Sequence, residues 1–180
     1  MSDINQGQPR RNIELKARLH SIDEARRIAQ NLADQPVEVQ HQTDTYFHCD
    51  SGRLKIRQIQ GRTSELIWYQ RPDSRQPKGS NYRLVRIEND ESLIELFSAA
   101  FGVRAVVTKR REIYLHKFVR IHLDEVTGLG EFLEFEAVLS GEIDDQKGQE
   151  LVDLLTNEFS IAASDLVQGS YGEMILAKSD

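Results

Sequence analysis

The chain has 180 residues, which bounds it to about one domain with room for a sizeable core. A composition 39% hydrophobic and 29% charged excludes wholesale disorder, and a formal charge of −6 argues against a nucleic-acid polymer as partner. The one cysteine, Cys49, excludes a disulfide framework or a cysteine-rich zinc site and fits a reducing cytoplasm.

Residues 1–10 are polar and read as a flexible tail on a single domain spanning 1–180, with no apolar export segment. Asn12 to Leu19 alternates apolar and polar residues, the period of a strand. Ser21 with Glu24 resembles a capping box and predicts a helix to about Ala33. Extended runs follow at Val37 to His48, Arg53 to Gln60, Ser64 to Arg71 and Asn81 to Glu88, the last after a loop over Pro72 to Ser80. Asn89-Asp90 starts a helix that Gly102 stops. Strands are expected at Val103 to Leu115, Phe118 to Val126 and Glu131 to Leu139. A helix over Asp144 to Phe159 and a short one after Ser170 complete the chain. The most apolar stretch, Leu96 to Val107, is interrupted by Ser98, Gly102 and Arg104 and predicts no membrane span. Strands joined mostly by tight turns predict an α+β fold with an antiparallel sheet, and eight strands suffice to close a barrel with a usable interior.

The informative feature is what fills the polar face of each strand. Glu14, Lys16 and Arg18 share one face of the first strand, and Arg53, Lys55 and Arg57 one face of the third. Lys109 and Arg111 follow on the sixth, Arg120, His122 and Asp124 on the seventh, and Glu134 and Glu136 on the eighth. Parity alone leaves two readings open: a sheet face in water, or the inside of a closed barrel. A solvated face is the commoner arrangement. Against it stand the helices, whose apolar faces must cover one side of the sheet, and the segregation of cations from carboxylates. Cations lining a cavity call for a polyanion, and clustered carboxylates call for a divalent cation.

Asn12-Ile13-Glu14-Leu15-Lys16 resembles the E-x-E-x-K signature of the CYTH, or triphosphate tunnel metalloenzyme, superfamily, which includes class IV adenylyl cyclases and thiamine triphosphatase-like proteins. Gln42 to Phe47, Gly52 to Arg57, Lys109-Arg110-Arg111, Asp124 to Glu136 and Ser170-Tyr171 fall in that family's order. The resemblance implies a closed eight-stranded antiparallel tunnel with helices packed outside, binding a triphosphate with Mg²⁺ or Mn²⁺. It implies Glu14, Glu134 and Glu136 as metal ligands with Asp124 as a fourth carboxylate. Lys16, Lys55, Arg57, Lys109 and Arg111 are implied as phosphate binders, with Arg18, Arg53, Arg71, Arg83 and Arg120 of second rank. Arg83 and Arg86 have opposite parity, so only one faces inward without a bulge. Asn12 departs from the signature, standing where the first Glu is expected, and offers a neutral oxygen in its place.

The five histidines lack zinc-ligand spacing, although His122 shares a face with Asp124. Trp68 and Tyr69 point to opposite faces and read as packing residues. The expected function is hydrolysis of a triphosphate such as tripolyphosphate, ATP or thiamine triphosphate. The alternatives are a cyclase making cyclic AMP and pyrophosphate, and a polyphosphate- or nucleotide-binding module without turnover. The expected setting is cytoplasmic and membrane-free; a homodimer is left open.

Overall fold

Helix caps and glycines punctuate the chain where the sequence places them. In the computed structural model, which describes residues 7–179, the elements run β1 (Arg10–Arg18), α1 (Ile22–Leu32), β2 (Glu38–Phe47), β3 (Arg53–Ile59), β4 (Ser64–Gln70) and β5 (Lys78–Ile87). They continue α2 (Asp90–Phe101), β6 (Val103–His116), β7 (Val119–Val126), β8 (Gly130–Val138), α3 (Asp145–Glu158) and α4 (Tyr171–Ser179). The Ser21 hydroxyl accepts from the Glu24 amide at 3.3 Å, starting α1, and Asp144 accepts from the Lys147 amide at 2.9 Å, starting α3. Gly102 ends α2 at φ 75°, a conformation that disfavours other residues. Most of the predicted flexible tail, residues 1–6, lies outside the described residues; Gly7 donates its amide to the Leu84 carbonyl at 2.9 Å.

The strands close a barrel in the order β1-β5-β4-β3-β2-β6-β7-β8, with every neighbouring pair antiparallel. Closure explains the one displaced boundary. Lys78, Gly79 and Ser80, expected in a loop, are drawn into β5 because β1 offers them backbone partners: Glu14 faces Lys78 and Asn12 faces Ser80.

The alternating apolar residues point outward, under the helices. Ile13, Leu15 and Ala17 of β1, Ile121 and Leu123 of β7, and Leu133, Phe135 and Ala137 of β8 pack against Ala25 and Ala29 of α1 and Leu151, Val152 and Leu155 of α3. Each large side chain buried there contributes roughly 1.5–3 kcal/mol. Gly148 lets α3 settle onto this wall, since a Cβ there would lie 2.9 Å from Leu139 Cδ2. On the other side, Phe47 and Ile56 pack under Leu93, Ile94 and Phe97 of α2, with Phe47 and Phe97 edge to face at 5.5 Å.

One parity of each strand is spent on this outer core, so the other parity, which carries Glu14, Lys55, Lys109 and Glu134, faces the barrel axis. Tyr171, at the start of α4, enters one end of the barrel and packs edge to face on Phe132, with ring centroids 5.0 Å apart. Tyr46, Val107 and Val126 complete this apolar plug. Among the described residues no helix is long and apolar enough to cross a membrane.

Candidate active site

The barrel encloses a cavity of about 380 Å³. Glu14, Lys16, Lys55, Arg57, Arg71, Lys109, Arg111, Arg120, Glu134 and Glu136 all line it. Eight strands thus bring together charges that lie as far apart in the chain as Glu14 and Glu136.

The wall of β2, β3 and β6 is cationic around one carboxylate. Asp44 of β2 accepts from Lys55 Nζ at 2.8 Å, from Lys109 Nζ at 3.0 Å, and from Arg57 through Nε at 2.7 Å and Nη2 at 3.0 Å. Burial alone would push the Asp44 carboxyl up; Arg57, Lys109 and Lys55 outweigh it and hold the group well below its usual range. Burial and the neighbouring Arg57 push Lys55 down to about 8, against the pull of Asp44. Lys109 is driven well below its ordinary value by burial, again with Asp44 opposing.

The wall of β1, β7 and β8 carries the carboxylates. Register puts Glu14 opposite Glu136 and Lys16 opposite Glu134, so three carboxylates crowd two adjacent strands. Each is turned onto a positive or amide group. Glu14 accepts from Arg71; Glu134 lies 3.3 Å from Lys16 Nζ and 2.8 Å from Arg111 Nη2; Glu136 accepts from Asn12 Nδ2 and, at 3.1 Å, from Arg120. Burial raises the Glu14 carboxyl, and although Arg71 opposes it, Glu134 and Glu136 push it up further. Lys16 is lowered by burial, despite Glu134, and its ammonium sits 3.6 Å from the centre of the Tyr171 ring. His122 lines the cavity between Glu134 and Glu136, with ring nitrogens 3.7 and 3.9 Å away, and burial together with Arg111 lowers its pKa.

Four expected site residues stand elsewhere. Asp124 is fully buried behind Arg111, and accepts from it at 2.6 and 2.5 Å and from the Tyr171 hydroxyl at 2.8 Å. Burial raises the Asp124 carboxyl, but Arg111 holds it down at about 2. Its oxygens are engaged, so it anchors Arg111 and does not join Glu14, Glu134 and Glu136 at the cavity. Arg18 has the inward parity but lies at the strand's end, where it is exposed, donates to the Leu129 carbonyl at 3.3 Å and covers the Phe132 ring. Arg53 is likewise terminal and pairs with Glu173 at 2.9 Å and Asp73 at 2.6 Å, away from the cavity. Arg83 points outward and donates to the Gly7 carbonyl at 2.7 Å; Arg86, of opposite parity, lines the cavity. The register of β5 therefore selects Arg86 of the two.

Asn12 does not line the cavity. Its amide tethers Glu136 from behind, and its Oδ1 is buried without a hydrogen-bond partner among the described residues. Charged groups outside the expected set include Glu38 and Glu65, which line the cavity, and Asp44 and Lys78, which lie buried in the barrel wall. Asp44 lay in a noted motif, and its parity with Gln42 and Tyr46 was the available signal. Lys78 was hidden in the presumed loop; it is buried and brought to about 8 by burial, Arg71 and Lys16. Trp68 faces outward and donates to the Ser51 carbonyl at 3.0 Å.

Among the described residues, no three His, Cys, Asp or Glu side chains already converge as a cation cage. The donor chemistry nevertheless fits a hard divalent cation: Glu14, Glu134 and Glu136 offer carboxylate oxygens whose mutual repulsion such an ion would relieve.

A closed antiparallel barrel with opposed cationic and acidic walls defines a tunnel fold. The chain belongs to the CYTH family: the family's CYTH domain profile matches residues 10–171. Solved structures agree. A Pyrococcus horikoshii OT3 protein, PH1012, is 26% identical and superposes with a TM-score of 0.79 over 90% of this chain and 98% of its own. A Vibrio parahaemolyticus protein described as a candidate adenylate cyclase is 21% identical, with a TM-score of 0.74 over 95% and 99% of the two chains. A candidate adenylyl cyclase from Hippeastrum, described as having a dominant triphosphatase activity, is 14% identical, with a TM-score of 0.66 over 93% and 96%. No curated protein matches the chain.

Proposed function

We propose that this protein is a divalent-metal-dependent triphosphatase that holds its substrate inside the barrel. The observation that carries this reading is the two-sided wall: Lys55, Arg57, Lys109 and Arg111 on one side of the cavity, and Glu14, Glu134 and Glu136 on the other. The cations would bind the oxygens of the phosphate chain and neutralise charge that grows on them as a phosphoryl bond breaks. Glu14, Glu134 and Glu136 would hold Mg²⁺ or Mn²⁺, which supplies a Lewis acid for a phosphoryl oxygen. Lys16, Arg71 and Arg120, now paired with those carboxylates, would turn to the phosphate chain. The cytoplasmic setting and a small triphosphate as the partner belong to the same proposal.

The test is incubation with tripolyphosphate, ATP and thiamine triphosphate, each with Mg²⁺ or Mn²⁺, followed by product identification. Orthophosphate is the expected product. Cyclic AMP with pyrophosphate from ATP would assign a cyclase instead, and tight binding without any product a binding module.

A further inference from the structure

Asp44 has no role in the reading above, yet four hydrogen bonds from three cations converge on it. It stands on β2, the strand between β3 and β6, and faces Arg57 directly in register. One oxygen, Oδ2, accepts from three cations: Lys55, Arg57 and Lys109. The carboxylate is fully buried, and both lysines are buried with it. Three cations converging on one anion with two acidic oxygens resembles the environment a bound phosphoryl group would meet. Without an anion among them, three such charges would repel one another in a place with little water to screen them.

We propose that Asp44 is the built-in counter-ion of the phosphate-binding wall, a positioning residue that keeps Lys55 and Lys109 protonated and aimed, with Arg57, as one cradle. The inference rests on the triphosphate reading for the identity of the ligand. Other charged groups around the two lysines do not replace Asp44. Lys55 faces Arg57 on its own strand, Tyr46 on β2, Tyr69 on β4 and Arg111 on β6. Lys109 faces Arg57, Arg111, Asp124 and the Tyr171 ring. Of these, Asp124 is the other carboxylate, and it is already bonded to Arg111. Asp44 is therefore the anion that offsets burial for both lysines, and an ammonium that lost it would shed its proton at lower pH.

The experiment is calorimetric titration of the full chain with tripolyphosphate, without metal and with chelator, from pH 6 to 10. The wild type should bind, and lose affinity as the pH rises past about 8, where Lys55 gives up its proton. In Asp44→Asn that loss should move about 1–3 pH units lower, the span over which a nearby opposite charge shifts a titration. Asp44→Glu, which keeps the charge, should restore most of the wild-type profile. Affinity lowered equally at every pH in Asp44→Asn would overturn the counter-ion role and leave only a structural one. Failure of the wild type to bind tripolyphosphate at any pH, both in chelator and in a parallel titration with Mg²⁺, would instead reject the triphosphate reading, and with it this proposal. If Asp44→Asn does not fold, the charge-compensated Asp44→Asn/Lys55→Met variant decides. Recovery of folding supports the proposal, and a double variant equally unfolded overturns it.

Discussion

The two halves of the tunnel wall handle the same problem, buried charge, in opposite ways. On β2, β3 and β6 one carboxylate, Asp44, gathers Lys55, Arg57 and Lys109. On β1, β7 and β8, Glu14, Glu134 and Glu136 crowd one another and each takes its own cation: Arg71 from beyond β4, Lys16 of β1 and Arg120 of β7. The first half is short of negative charge and the second carries repelling carboxylates. An anion relieves one and a divalent cation the other, so a metal-bound polyphosphate suits the pair better than either ion alone. Arg111 joins the halves: it stands on β6 and bonds Asp124 of β7 and Glu134 of β8.

Arg111→Met should therefore have the largest effect. It leaves the buried Asp124 without its cation and Glu134 with Lys16 alone, at a cost of about 3–5 kcal/mol. Denaturant melts of the metal-free protein measure this. A loss under about 1 kcal/mol would mean that the halves are held together by other contacts.

Glu134→Gln and Lys55→Gln should separate the halves functionally. Glu134→Gln should lower metal-dependent turnover by about 10²-fold or more at ordinary Mg²⁺, while the fold persists. Lys55→Gln should weaken tripolyphosphate binding and leave the metal requirement unchanged. Steady-state rates across a grid of metal and substrate concentrations distinguish them, and identical behaviour in both variants would dissolve the distinction.

Asn12→Glu sharpens the acidic half. Asn12 donates to Glu136, and a carboxylate in its place would repel Glu136. The metal-free melt should fall by ~1 kcal/mol or more, the worth of roughly one pKa unit, and the metal requirement should drop. Unchanged melts with and without metal would place residue 12 outside the electrostatic reach of the cluster.

The smallest effect is a pH dependence. Lys55 and Lys78 titrate near 8 in the folded protein, below the 10.5 usual for lysine. Between these values the unfolded chain holds more protons than the folded one, so stability should rise with pH across that window. Metal-free melts at pH 8 and 8.5 should differ by ~1 kcal/mol in that direction. A flat profile would mean that the empty cationic wall is less strained than its burial implies.

The sequence by itself determined most of the strands, the helices and the shared parity of the charges on β1, β3, β6, β7 and β8, because alternation and capping are local and act within a few residues. It determined that Glu134 and Glu136, two apart on one strand, share a face, and that Lys55 and Arg57 do too. The resemblance of its motifs to the CYTH family carried the closed barrel and most of the residues that now line the cavity. Only the tertiary structure decided what each charge meets. Register across β5 chose Arg86 over Arg83. The ends of the barrel removed Arg18 and Arg53 from the cavity and gave them to Leu129 and Glu173. Packing of Tyr171 and Arg111 claimed Asp124. Closure turned a presumed loop into the start of β5 and brought Lys78 opposite Glu14. Asp44 became the hub of three cations because β2 lies between β3 and β6, an adjacency set by the order of strands around the barrel and by no spacing within any one of them. Long-range pairing fixes which charges face one another, and in a cavity with little water to screen them that decides their protonation and their chemistry.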